Sequence, residues 1–383
     1  MTGVVEIHGY CEPRFAGVKD AFARGFEVED DLGAAFAATV DGKFVVDIWG
    51  GYADVARTRL WEQDTIVNVW STTKAMTALC ALILVDRGQL DLDAPVASYW
   101  PEFAQAGKEK IPVRYLLSHT SGLAGFEVPM TTEDLYDWDR SVGLLAAQKP
   151  WWEPGTASGY HSMTFGHLIG EVVRRITGKS LGTFFREEVA VPLGADFHIG
   201  LPPEHDDRVA ELIPPPVLKA GDPEYVDPAN MTAIARKMGN PVTPATVTRE
   251  RAWRGAEIPA ANGHGNARSV ARVAALLACG GELDGVRLLS MSTIEKVIEE
   301  QSYGTDLVLQ VPMHFGLGFG LNSEETPLGP NPRTFFWGGW GGSLIVVDLD
   351  ARVSFSYVMN RMLIGTTGDK RSIRPARALY DSL

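Results

Sequence analysis

Strand-like stretches sit at both ends of this chain, and helical ones fill the middle. Near the start, two apolar stretches, residues 34–40 and 43–49, flank Asp41-Gly42, the composition of a tight hairpin turn. Near the end, residues 343–348 and 353–359 flank Leu349-Asp350-Ala351-Arg352, again two strands and a turn. One sheet assembled from both termini follows, with a mostly helical insert between them. The expected fold is α/β: an antiparallel sheet flanked by helices, with a mostly helical second subdomain. Residues 1–85 and 265–383 would form the first part and 86–264 the second. A length of 383 residues suits such a division better than one simple core.

Helical periodicity marks several segments. Phe15, Val18, Phe22 and Phe26 recur on one face. Leu168, Ile169, Val172, Val173 and Ile176 make another such face, and helices are expected over 267–277 and 370–382. Residues 201–262 are loop-rich, with Pro202-Pro203, Pro214-Pro215-Pro216 and Pro241, and read equally as a wall over a site or a passive excursion. Phe315-Gly316-Leu317-Gly318-Phe319-Gly320 lacks dinucleotide-loop spacing and reads as a Gly-rich strand.

The charge balance narrows the partners. Asp plus Glu is 48 and Lys plus Arg is 35, a net charge of −13. That excess argues against nucleic acid and anionic membrane surfaces. Cys11, Cys80 and Cys279 are scattered, and the latter two lie in apolar helical runs as small buried side chains. No disulfide framework is expected, and neither a secretory signal nor a membrane-length apolar run is visible. The expected location is the cytoplasm.

Ser71-Thr72-Thr73-Lys74 opens the apolar run Ala78-Leu79-Cys80-Ala81-Leu82-Ile83-Leu84-Val85. On a helix, Ser71 and Lys74 share a face. A helix start favours negative charge on the hydroxyl oxygen, and a desolvated lysine can give up its proton and accept another. The competing reading is a capping serine beside a solvated lysine. A second segment, Pro154-Gly155-Thr156-Ala157-Ser158-Gly159-Tyr160, can present a phenol from a Gly-rich loop before a helix. A third, Trp337-Gly338-Gly339-Trp340-Gly341-Gly342, lets backbone approach a ligand closely.

Taken with Leu116-Leu117-Ser118-His119-Thr120-Ser121-Gly122, Tyr160-His161-Ser162, Gly263-His264-Gly265-Asn266-Ala267-Arg268-Ser269 and Tyr357-Val358-Met359-Asn360-Arg361, these segments give the chain its resemblance. It resembles the serine β-lactamase and penicillin-binding-protein superfamily, and most closely the class C-like carboxylesterases called family VIII. The resemblance implies that Ser71 is the acylated nucleophile, with Lys74 and Tyr160 sharing the proton; which of the two is the base stays open, because a coupled pair titrates as a unit. It further implies an oxyanion hole from the backbone N–H groups of Ser71 and Trp340. Trp337, Gly338, Gly339, Ser162 and His161 would lie along the substrate. No metal and no cofactor is expected; the partner is a small-molecule ester.

The chain departs from the family pattern twice. Ser162 stands where the superfamily's β-lactamases and peptidases usually carry Asn, and Trp337 where they carry Lys or sometimes His. An indole cannot hold a substrate carboxylate, which moves the expectation from β-lactams and peptides to uncharged esters against an aromatic wall of Trp337 and Trp340. Arg333 or Arg361 is left as a source of the missing charge. A β-lactamase or D,D-peptidase, an acyltransferase and a non-catalytic binding protein are the competing readings. His119 and His264 read as structural turn residues. There is no His-Glu-x-x-His and no Gly-x-Ser-x-Gly elbow. Trp151-Trp152 fits a substrate rim or plain packing.

Overall fold

The computed structural model describes residues 5–222 and 225–383. Its main sheet is built from β1 (Ile7–Cys11), β2 (Gly33–Val40), β3 (Lys43–Gly51), β4 (Ser302–Thr305), β5 (Pro312–Phe315), β6 (Gly320–Leu321), β7 (Thr334–Gly338), β8 (Leu344–Asp348) and β9 (Val353–Met359). The spatial order is β1-β3-β2-β9-β8-β7-β6-β5-β4, with every neighbouring pair antiparallel. The last strand thus lies between β2 and β8, which is how both ends of the chain make one sheet. The β2–β3 hairpin turns at Asp41 (φ 49°) and Gly42 (φ 76°), the two positive angles of a type I′ turn.

The helices that position the site are α1 (Ala16–Val28), α2 (Thr73–Asp86), α3 (Thr164–Thr177), α4 (Ala267–Ala278) and α5 (Lys370–Tyr380). Alternation along β9 sends Phe355 and Tyr357 to one face, where they meet Phe36, Phe22 and Tyr380. There α1 and α5 pack together over the sheet. Ser354 points to the opposite face and donates to the Ala271 carbonyl of α4 at 2.9 Å. The alanines of β2 and α4 let that helix lie close.

Helix α2 is buried on all sides from Thr73 to Leu84. It packs against β7 on one side and against α3 and residues 181–185 on another. A chain that hides a whole helix needs apolar residues all round it, which this run supplies. Truncating Leu82 to Ala there should cost about 2–5 kcal/mol through transfer and cavity effects. Lys74 is the exception in this helix, since a lysine is almost never fully buried without partners.

Two details differ from expectation. Residues 315–320 are not one strand: β5 ends at Phe315, and the chain reverses so that Phe315 pairs with Gly320 of β6. Gly318, with φ 79°, supplies the bend. Cys80 is buried as expected, whereas Cys279 is half-buried, because it caps the end of α4 instead of lying inside it. Among the described residues, no helix is long and apolar enough to cross a membrane.

Candidate active site

Ser71 sits in a single 3-10 turn, Trp70–Thr72, that leads into α2. Trp70 before it has φ 47°, a left-handed conformation that a bulky residue adopts only when its surroundings impose it. Those surroundings are specific. The Val69 N–H donates to the Gly263 carbonyl, and the Gly263 N–H donates to Thr73 Oγ1 at 2.9 Å. Thr73 Oγ1 in turn donates to the Trp70 carbonyl at 2.5 Å. Ser343 Oγ donates to the Val69 carbonyl at 2.8 Å and lies 2.9 Å from Thr72 Oγ1. The turn bearing Ser71 is therefore pinned to residue 263 on one side and to the head of β8 on the other.

Lys74 Nζ lies 3.0 Å from Ser71 Oγ and donates to the carbonyls of Ser162 at 2.7 Å and Ala260 at 2.9 Å. Tyr160 donates its phenolic proton to Ser71 Oγ at 2.6 Å. The hydroxyl, amine and phenol thus converge on one oxygen, from residues up to 89 positions apart. Lys74 is 0% exposed and Tyr160 8%. Burial holds the Lys74 ammonium well below the ordinary lysine range. Burial pushes the Tyr160 phenol up; the Asp306 carboxylate adds to this, while the Ser71 hydrogen bond and the nearby Trp337 indole oppose it. The Trp337 N–H makes no full hydrogen bond there. The low-dielectric site therefore shifts the lysine toward its neutral amine and holds the phenol in its protonated form.

Asp306 was not legible as a site residue. Its Oδ1 accepts the N–H groups of Tyr160 at 3.0 Å, Val308 at 2.9 Å and Leu309 at 2.8 Å. It fixes the backbone that presents the phenol from the β4–β5 connection. The only local signal is an aspartate followed by backbone donors two and three residues on, which marks any turn.

The other expected site residues divide. After Gly338 the chain makes a tight turn whose N–H groups are mostly occupied: that of Gly339 goes to the Ser343 carbonyl, Gly341 to Gly365 and Gly342 to Gly339. The Trp340 N–H takes no partner among the described residues. Trp340 is half-buried, its ring 5.1 Å from that of Trp70. Gly339 backs onto the nucleophile turn instead of a substrate path: a Cβ there would collide with the Val69 carbonyl and Ser343 Oγ. Ser162 is partly exposed, and its carbonyl holds Lys74.

His161 corrects the expectation of a substrate contact. It is fully buried, its ring between Ser121 Oγ at 2.7 Å and the Gly159 carbonyl at 2.6 Å, and burial lowers its pKa to about 4. Its neighbour Tyr160 faces the opposite way, toward Ser71. Trp337 is a correction in part. It is 4% exposed, and its ring packs among His119, Phe165, Phe315 and Tyr160. One edge, with Gly338, borders a small cavity closed by Leu309, Met313 and Thr367. These residues, and not two tryptophans, form the wall beside Tyr160.

Arg333 and Arg361 lie 3.5 Å from Asp350 and 3.4 Å from Asp30, and neither lines the cavity beside Tyr160. His119 and His264 are buried, the first accepting the His161 N–H at 3.0 Å and the second 2.8 Å from the Asn262 carbonyl. Trp152 donates to Ala157 and packs beside Gly159, under the Tyr160 loop. Trp151 lines a separate groove beneath Lys237. Among the described residues, no three His, Cys, Asp or Glu side chains gather as a metal site would require.

A nine-stranded antiparallel sheet flanked by helices, with this Ser–Lys–Tyr meeting beside the turn between β7 and β8, defines a serine hydrolase of the β-lactamase and penicillin-binding-protein superfamily. The β-lactamase family model matches residues 21–379, and the chain belongs to that family. It is 38% identical over 371 residues to the esterase/β-lactamase LipL of Mycobacterium tuberculosis, covering 93% of this chain and 83% of LipL. A crystal structure of a family VIII carboxylesterase superposes with a TM-score of 0.93 at 45% identity, over 99% of this chain and 100% of that one. A penicillin-binding-protein homologue from Caulobacter crescentus gives 0.90 at 41% identity, over 99% and 100%.

Proposed function

We propose that this protein cleaves small uncharged carboxylic esters through an acyl-enzyme on Ser71. The observation that carries this reading is the convergence of Lys74 Nζ, at 3.0 Å, and the Tyr160 phenol, at 2.6 Å, on Ser71 Oγ. Two of the three neighbours of Nζ, the Ser162 and Ala260 carbonyls, can only accept. A neutral amine has two N–H bonds, and these satisfy the two carbonyls. Its lone pair then faces the third neighbour, the Ser71 hydroxyl. In that form Ser71 donates to Lys74, accepts from Tyr160 and is ready to attack; an ammonium would instead donate to all three acceptors and leave Ser71 unactivated.

As Ser71 Oγ bonds to the carbonyl carbon, its proton passes to Lys74 Nζ. The oxyanion meets the N–H groups of Ser71 and Trp340. The carbon–oxygen bond to the alcohol breaks, and the leaving alkoxide takes a proton from the Lys74–Tyr160 pair. Water then attacks the acyl carbon, giving a proton to the same pair; the carbon–Oγ bond breaks, and Ser71 Oγ takes that proton back as the acid leaves. The apolar wall at Leu309 and Met313, in a cavity that neither Arg333 nor Arg361 lines, supports an uncharged substrate. The test is hydrolysis of a short-chain p-nitrophenyl ester together with labelling by a phosphonate ester. Ser71→Ala should abolish both, with the wild-type adduct on Ser71; full turnover by the variant would refute the reading.

β-Lactam hydrolysis by the same site is the second reading, favoured by the double designation of the mycobacterial relative as esterase and β-lactamase. Nitrocefin turnover exceeding ester turnover would move the assignment there.

A further inference from the structure

A buried charge cluster lies behind the turn at residues 339–342. Arg371, near the start of α5, is 0% exposed at its side chain, and Asp31 is 1%. All five guanidinium protons of Arg371 have acceptors. Nε reaches Asp369 Oδ1 at 2.9 Å; Nη1 reaches Asp31 Oδ1 at 2.9 Å and the Arg361 carbonyl at 2.7 Å. Nη2 reaches Asp369 Oδ2 at 2.6 Å and the Gly341 carbonyl at 2.8 Å. Asp31 Oδ2 accepts from Tyr357 at 2.6 Å. Gly342, with φ 121°, leaves no room for a side chain, because a Cβ there would strike Asp369 Oδ2. The turn is pressed directly onto the cluster.

The contact at Gly341 continues through the backbone. The peptide that joins Gly341 to Gly342 accepts from Arg371 at its carbonyl and donates from its N–H to the Gly339 carbonyl, at 3.1 Å. The next peptide, joining Gly339 to Trp340, accepts there and presents the Trp340 N–H at its other end. We propose that Arg371 is a positioning residue for the oxyanion hole, orienting and polarising the Trp340 N–H through these two peptides in series. A trans peptide carries its C=O and N–H in opposite directions, so fixing the Gly339 carbonyl aims the Trp340 N–H. Hydrogen bonds in a chain polarise one another, and a guanidinium at the far end supplies a full charge in a low-dielectric interior. The inference rests on the reading of Trp340 as an oxyanion donor. It adds that the donor's strength is set by a side chain that never touches substrate.

The test reads the donor directly. In protein labelled with 15N-tryptophan, the Trp340 backbone signal is assigned by its loss in Trp340→Phe. Arg371→Lys keeps a cation but brings three N–H bonds, without the planar fork, to the five contacts that Arg371 makes. It should move that signal upfield, lower kcat for the ester about ten-fold and slow Ser71 phosphonylation in proportion, with KM within about two-fold. A Trp340 signal that stays put, or a loss confined to thermal stability, overturns the relay. Should Arg371→Lys not fold, Asp369→Asn decides the matter. It can still cap α5 but withdraws negative charge from the guanidinium, and the relay demands a downfield shift at Trp340, against which an unmoved or upfield signal counts. If wild-type Ser71 takes no phosphonate, the esterase reading fails separately, while the Trp340 signal still answers for the relay.

Discussion

Two buried polar clusters meet the same turn from different sides, one at Gly339 and one at Gly341 and Gly342, and they obey opposite rules. Around Arg371 the groups are charged, and each donor is matched by an acceptor. Around Ser71 burial shifts both the amine and the phenol toward their neutral forms, and the two converge on one hydroxyl. A buried ion network with every partner in place resists change, since removing one member strands the others. A neutral amine has a lone pair to take a proton with, and the charge this creates is balanced by the oxyanion formed in the same step. The fold thus keeps rigidity and reactivity in separate clusters and joins them through backbone.

The comparison breaks most readily at Lys74. Lys74→Met keeps the volume but removes the lone pair, and kcat for an ester should fall by about 10³-fold or more. Wild-type kcat/KM should fall on the acid side as Lys74 takes up a proton. Burial lowers that pKa, so the limb lies far below the ordinary lysine range. A flat acid limb in the wild type, or a variant that retains activity, would show that Lys74 is not the base.

The neutral side should also be the acid-labile one. His119 and His161 pack behind Tyr160 and stay uncharged, burial lowering both, His161 to about 4 from 6.5. The unfolded chain binds protons that the folded one refuses. The stability from these two is therefore complete above about pH 6.5 and drains away as the pH falls toward 4. Denaturant titrations across that range should show a loss on the order of a few kcal/mol. Replacing both histidines by Asn should reduce the dependence to the part carried by His167 and His264, which burial lowers to about 4 and about 3.

Asp306 offers the mildest test. Asp306→Ala strands three backbone N–H groups, among them that of Tyr160. About a ten-fold drop in kcat is expected, at little change in KM. Asp306→Asn, which keeps an acceptor, should recover most of it; equal damage from both would point to charge instead of placement.

What the sequence disclosed follows the range of each interaction. The Ser71–Lys74 spacing is a property of one helical turn, and the hairpin at Asp41-Gly42 a property of two residues, so both were readable locally. Tyr160 needed the family resemblance, since nothing in its own loop says what it faces. Asp306 lies 146 positions from Tyr160, and Arg371 is 30 from Gly341. No local pattern announces such partners. His161 was misplaced because adjacent side chains point apart, and a motif of three consecutive residues does not say which of them face the cleft. An aromatic beside glycines suits either a cleft or a core, and Trp337 serves both: its ring packs among four others while one edge borders the cavity beside Tyr160.

The place of β9 between β2 and β8 has a consequence for synthesis. Ser71, Lys74 and Tyr160 leave the ribosome well before residues 353–371, which close the sheet and bring the guanidinium to the turn. A nascent chain therefore carries its nucleophile unarmed until the final strand slots in. On the proposed chemistry, the first acylation of Ser71 marks the moment at which the whole molecule has finished folding.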